Sequence, residues 1–170
     1  MSAHAQPALV DKPPVAPVPI SSRDHGRVNS DLDDSRQTTA AILIVADDPG
    51  DRDLLMQAME DAGYDFAAVG SVPSALALCR EEVLDLVLLD ISPPGVDGKE
   101  AAGLLRRSPL LASLPIVAIT PSIGAEEERA LRDCGVTSME TRPIDGTRLR
   151  RTIETLLRER VRRGEGSRCR

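Results

Sequence analysis

The sequence predicts an α/β protein, a single doubly wound parallel sheet built from five βα units. Two observations carry that prediction. Short unbroken apolar runs, Leu86-Val87-Leu88-Leu89 and Ala41-Ile42-Leu43-Ile44-Val45-Ala46, stop abruptly at acids, which is how strands covered on both faces read. Between such runs lie segments whose apolar residues recur at helical spacing, and strands alternating with helices join through right-handed crossovers into a parallel sheet with helices on both faces. Composition adds a third. Hydrophobic residues make up 41% of the 170, yet Tyr64 and Phe66 are the only aromatics and there is no Trp, so the core is aliphatic.

Residues 1–39 are rich in Pro, Ser and Asp with little periodic apolarity, a composition that does not offset the entropy of ordering, and they are predicted to be a disordered extension. Within it, Pro-Val-Ala-Pro-Val-Pro reads either as polyproline II offered to a partner or as an inert leader. The first strand, residues 41–46, ends in Asp47-Asp48 and the turn Pro49-Gly50. Leu54, Leu55, Ala58, Met59 and Ala62 then mark helix one, which Gly63 stops. A short second strand spans 66–69. Ser71-Val72-Pro73 opens the second helix, with Ala75, Leu76 and Cys79 inward and Cys79 read as a small buried hydrophobe.

The central strand ends at Asp90 and is followed by a Pro/Gly-rich loop and a third helix over 99–107, with Ala102 and Leu105 inward. Residues 116–120 form the fourth strand. Glu126, Glu127 and Glu128 fall near the start of the next helix, where the macrodipole favours acids, and read as a solvated face. Residues 136–141 are predicted as the fifth strand, ended by Arg142-Pro143. From Asp145, an N-cap, a last helix carries Leu149, Ile153, Leu156, Leu157 and Val161 on one face and ends at Gly164. This gives one domain over 40–162, without internal repeat, and a basic flexible tail over 163–170.

The net charge is −6, but residues 142–170 hold ten Arg against four acids, so the preceding chain is strongly acidic and a nucleic-acid surface on it is not expected. Arg158 to Arg170 reads as a helix end running into a solvated tail, interrupted by Glu159 and Glu165. Cys79, Cys134 and Cys169 are widely spaced and odd in number, which fits reduced thiols, with no disulfide. Prolines break the apolarity of the N-terminal stretch, so neither a signal peptide nor a membrane span is expected, and a cytoplasmic location is.

Two apolar runs thus deliver Asp47, Asp48 and Asp90 to one sheet edge, the carboxyl edge where open α/β sheets bind ligands. At an effective dielectric near 20, unit charges ~4 Å apart repel by roughly 4 kcal/mol. Such a cluster needs a cation or an unusual protonation state, and oxygen ligands favour a hard ion, most simply Mg²⁺. Taken alone, Asp90 reads better as an Asp that merely ends a strand or caps the helix after it.

In order and spacing these residues resemble the response-regulator receiver domain of two-component signalling. The resemblance covers about residues 40–160. It rests on Asp47-Asp48 after strand one, Asp90 after strand three followed by Pro94 and Asp97-Gly98, Thr120 after strand four, and Arg142-Pro143 after strand five. It implies a flavodoxin-like (βα)5 sheet with strand order 2-1-3-4-5, and a signalling protein rather than an enzyme. By the same resemblance Asp90 is the phosphoacceptor. Asp47, Asp48, Asp90 and the backbone carbonyl of Ser92 hold Mg²⁺. Thr120 donates to a phosphoryl oxygen, Arg142 stands where the family has a phosphoryl-contacting Lys, and the Arg142-Pro143 bond is cis. The implied partners are a sensor histidine kinase or phosphotransfer protein and a downstream protein target, with a homodimer left open. No output domain is legible after residue 160, so a stand-alone receiver is expected.

Four positions depart from the family pattern. Arg142 carries a planar fork in place of an ammonium. Pro121 removes an N–H that in the family points at the phosphoryl group. Met139 stands where a Tyr or Phe switches, and Pro93 stiffens the loop after Asp90. These departures give the alternative, a pseudo-receiver that binds its partner without phosphate control. An aspartate-nucleophile phosphatase would have a second acid two residues after Asp90, where Ser92 stands.

Overall fold

The computed structural model describes residues 40–91, 98–121 and 123–164. The 1–39 extension, Ser92, Pro93, Pro94 and Asp97, and the tail from 165, for which the sequence gives expectations, lie outside them. Ten elements alternate: β1 Ala41–Val45, α1 Pro49–Ala62, β2 Asp65–Val69, α2 Val72–Leu78, β3 Leu86–Asp90, α3 Gly98–Arg107, β4 Ile116–Thr120, α4 Ala125–Asp133, β5 Ser138–Thr141 and α5 Gly146–Arg162. All four strand pairings are parallel, in the order β2-β1-β3-β4-β5, as the resemblance implies.

The sheet is buried on both faces. Alternate residues of each strand divide between two cores. Leu43, Val45, Val87, Leu89, Ile116 and Ala118 meet the helices α2, α3 and α4 through Ala75, Leu78, Ala102, Leu105 and Leu131. Ile42, Ile44, Leu86, Leu88, Val117 and Ile119 meet α1 and α5 through Leu55, Met59, Leu149 and Ile153. Phe66 is the single aromatic in the buried core, so packing is aliphatic throughout. Burial pushes the Cys79 thiol up to about 11, so it sits in the core as a neutral, small hydrophobe.

Helix boundaries follow from local chemistry. Ser71 accepts from the Ser74 amide at the start of α2, and Asp145 accepts from the amides of Thr147 and Arg148 at the start of α5. Gly63 ends α1 with a φ of 78°, and Gly164 after α5 has a φ of 75°.

Several expectations need correction. Leu54 is 61% exposed and Val161 is 68% exposed. In α1 the inward stripe runs through Leu55 and Met59, and Leu54 lies about 100° around the helix from it. In α5, 17 residues rise about 25 Å while a 5-residue strand spans about 17 Å, so the last turn and Val161 reach past the sheet. In α2 Leu78 is buried and Leu76 only partly so. Strand β5 begins at Ser138 rather than 136. There the Thr137 amide donates to the Ile116 carbonyl at 2.8 Å, but the Ile116 amide donates to the Thr137 hydroxyl at 3.1 Å and not to a backbone carbonyl.

Candidate functional site

Parallel pairing brings the carboxyl ends of β1, β3, β4 and β5 side by side, with Val45 opposite Leu89, Asp90 opposite Ile119 and Thr120 opposite Thr141. Asp90, the last residue of β3, has a side chain with no exposed surface. A buried charge demands a partner. Arg142, one residue past β5, supplies it: one guanidinium nitrogen (Nη2) donates to Asp90 Oδ2 at 3.1 Å and the other (Nη1) to Asp51 Oδ1 at 2.7 Å. The Arg142 amide donates to the Thr120 carbonyl at 3.0 Å, which fixes where the guanidinium starts. The Arg142-Pro143 bond is cis.

Asp47 and Asp48 are the last two of the three residues between β1 and α1, both exposed. Asp48 is the N-cap of α1, its Oδ1 accepting from the Asp51 amide at 3.0 Å. Beneath them Arg52 is buried and donates to the Ala46 carbonyl at 2.9 Å and the Asp47 carbonyl at 3.4 Å, tying the loop to the helix. Thr120 is buried at the end of β4, and its hydroxyl donates to the Pro121 carbonyl at 2.9 Å. That hydroxyl would have to turn to serve any oxygen at Asp90. Met139, on β5, is half-buried and packs on the α2–α4 core.

The fold therefore places Asp47, Asp48, Asp90, Thr120 and Arg142 along one edge. Their donors toward a cation are oxygens only, which suits a hard divalent ion such as Mg²⁺. Among the described residues, however, no three His, Cys, Asp or Glu side chains are gathered closely enough to hold a metal. Asp48 is turned to its helix cap and Asp90 to Arg142. Ser92, whose carbonyl the resemblance implies as a ligand, lies outside the described residues.

Three functional contacts escape sequence reasoning. Asp51 holds the second arm of Arg142, and the usable signal is an acid in the first turn of α1 facing an Arg that replaces a Lys. Arg52 gives no signal beyond being a charge on an otherwise inward face. Glu140 is buried within β5, held by Arg148 Nε at 2.6 Å and the Thr152 hydroxyl at 2.6 Å, which fastens β5 to α5 next to the site.

Comparison with known proteins places the domain as a whole. The model of the response regulator receiver domain matches residues 42–154. The polar-differentiation response regulator DivK of Brucella ovis is 31% identical over 119 residues, covering 70% of this chain and 97% of that protein. The sensor protein GacS of Pseudomonas syringae pv. syringae is 34% identical over 115 residues, which cover 66% of this chain but 13% of GacS, so the likeness is to one segment of a longer sensor. A crystal structure of the receiver domain of a Pseudomonas aeruginosa sensor histidine kinase, with a magnesium ion coordinated in its active site cleft, superposes with a TM-score of 0.62 at 21% identity. It covers 70% of this chain and 98% of that one. A match across two thirds of the chain, on a sheet of the same order with an acid at the end of β3, makes this chain a member of the response regulator receiver domain family.

Proposed function

We propose that this protein is a phosphoacceptor of a two-component phosphorelay, with Asp90 taking a phosphoryl group from a phosphohistidine on a sensor histidine kinase or phosphotransfer protein. The observation that carries the reading is the fully buried Asp90 carboxylate at the end of β3, bridged by Arg142. In the transfer an Asp90 oxygen forms a bond to phosphorus as the P–N bond breaks, and the imidazole nitrogen leaves with the bonding pair and takes up a proton. Arg142 offsets charge on the carboxylate and can follow it to the phosphoryl oxygens. Thr120 turns its hydroxyl from the Pro121 carbonyl to a phosphoryl oxygen. Such a centre relies on positioning and charge stabilisation.

Asp47, Asp48, Asp90 and the carbonyl of Ser92 would hold Mg²⁺, which supplies a clamp on phosphoryl oxygens and neutralises the acids. The bound magnesium of the Pseudomonas aeruginosa receiver and the all-oxygen donor set support that assignment. The protein acts through contacts with a downstream protein, in the cytoplasm, as a signalling protein and not a turnover enzyme. No helix among the described residues is long and apolar enough to cross a membrane. Residues 1–39 and the basic end flank this domain as extensions.

A second reading, a pseudo-receiver without phosphate control, is favoured by one arrangement: Pro121 offers no N–H, and the Thr120 hydroxyl is committed to the Pro121 carbonyl. Incubation with a small-molecule phosphodonor and Mg²⁺, followed by intact mass measurement, separates the two. The expected result is one added phosphoryl group in the wild type and none in Asp90→Asn. A wild type that stays unmodified, and shows no amide shifts with fluoroberyllate, would put the pseudo-receiver in its place.

A further inference from the structure

We propose that Asp51 is a positioning residue that restrains Arg142, and through it sets how readily the Asp90 centre accepts a phosphoryl group. The inference rests on the reading of Asp90 as phosphoacceptor. Arg142 spans two carboxylates, and its shorter contact is to Asp51, 2.7 Å against 3.1 Å to Asp90. A guanidinium is planar, and its two outer nitrogens diverge, so a fork with one arm on each acid has its orientation set by both. An ammonium at this position has three donors on one freely rotating nitrogen, so contact with two acids would not fix its orientation as the planar fork does. Asp51 is itself held: it lies in the first turn of α1, and its amide is bonded to the Asp48 cap.

When phosphoryl oxygens are built outward from Asp90, Arg142 must move with them. Asp51 opposes this in two ways that share one sign. It holds the arm that has to swing, and its own negative charge stands one guanidinium away from the incoming anion. Asp51 thus acts as a brake on the loaded state, exerted through Arg142. The pair also explains how an Arg is accommodated at the Lys position: the extra reach of the side chain is taken up by the acid on α1.

Asp51→Asn removes the charge while keeping size and the amide that binds the Asp48 cap. Fluoroberyllate, a phosphoryl mimic, is titrated at fixed saturating Mg²⁺ into the full-length wild type, Asp51→Asn, Arg142→Ala and the double variant, with binding read from backbone amide shifts. Asp51→Asn is expected to bind about fivefold more tightly than wild type, the scale of a partly exposed ion pair of about 1 kcal/mol. In the Arg142→Ala background the same change should alter affinity by less than about twofold, because the effect runs through Arg142. Equal or weaker binding by Asp51→Asn overturns the proposal, as does a gain of the same size without Arg142.

The Arg142 Nη1–H resonance, from the nitrogen that donates to Asp51, reads the tether without any phosphoryl mimic. It should be slow to exchange in wild type and faster in Asp51→Asn, and an unchanged rate overturns the brake. If no variant binds fluoroberyllate while the exchange rate does respond, the bridge stands and the phosphoacceptor reading falls instead.

Discussion

Pro121 has the sharpest consequence of any single side chain near Asp90. It follows Thr120 at the end of β4 and has no N–H to donate, and its carbonyl accepts from the Thr120 hydroxyl. Hydrogen bonds to charged groups contribute roughly 1.5 to 3 kcal/mol, so one restored donor is enough to change occupancy severalfold. Pro121→Ala, alone or with Arg142→Lys, is expected to raise the yield of Asp90 phosphorylation, measured by intact mass after a fixed time with phosphodonor and Mg²⁺. A yield equal to wild type would mean that Thr120 and Arg142 already suffice. At this scale the sequence placed Asp47, Asp48, Asp90 and Thr120 at the carboxyl ends of their strands and predicted the cis Arg142-Pro143 bond. It did not reveal Asp51, because an acid in a first helical turn is accounted for by the helix dipole alone. Nor did it reveal buried Glu140, because acids are almost never fully buried unless paired and its partners, Arg148 and Thr152, lie on another element.

Among the elements, α5 is the one whose ends and faces are set most visibly by named residues. Its N-cap, Asp145, is held below the usual carboxylate range chiefly by the Arg148 amide, with the Thr147 amide and the charges of Arg148 and Arg151 adding to it. A carboxyl with a lowered folded-state pKa stabilises the fold above its unfolded pKa, and that contribution disappears as pH falls through the folded value. Asp145→Ala should therefore lower the urea midpoint near neutral pH, and the gap to wild type should narrow as the pH is taken into the carboxylate range. A gap of constant size down to pH ~2, below the ordinary Asp range, would mean that the loss is one of helix shape and not of charge. The strands and helices were readable in sequence because apolar runs and caps are local signals. Leu54 and Val161 were misjudged because periodicity does not say how wide the inward stripe is or how far a helix outruns its sheet. The start of β5 was misjudged because the Thr137 hydroxyl, and not a backbone carbonyl, accepts from the Ile116 amide, a non-local substitution.

The whole molecule gives the assignment of Asp47, Asp48 and Asp90 to a cation its cleanest check, since a ligand that binds only the folded state stabilises it by mass action. At a concentration ten times Kd the gain is about 1.4 kcal/mol. Mg²⁺ should thus raise the urea midpoint of the wild type. Asp48→Asn should show a smaller rise while unfolding near the wild-type midpoint without Mg²⁺, because Asn caps a helix about as well as Asp. Equal Mg²⁺ stabilisation in both proteins would remove Asp48 from the site. Strand order was legible at this scale because crossover handedness and a run of βα units leave few topologies, and the resemblance chose among them.

At the opposite edge of the sheet from Asp90, Arg106 joins three segments. Its guanidinium donates to the carbonyls of Leu111 and Ala112 at 2.9 and 3.1 Å and to that of Gly135 at 2.6 Å. Gly135 has a φ of 98°, and a Cβ there would stand 2.6 Å from the Arg106 side chain, so the clasp needs that glycine twice over. Mechanically, β4 and β5 form a lever pinned at one end. Whatever displacement a charge change at Asp90 sets off cannot slide the two strands as a unit, because their amino-terminal ends are riveted to the end of α3. Any travel is left to the carboxyl-terminal tips, Thr120-Pro121 and Arg142-Pro143, where Arg142 is in turn tied to Asp51 and Asp90.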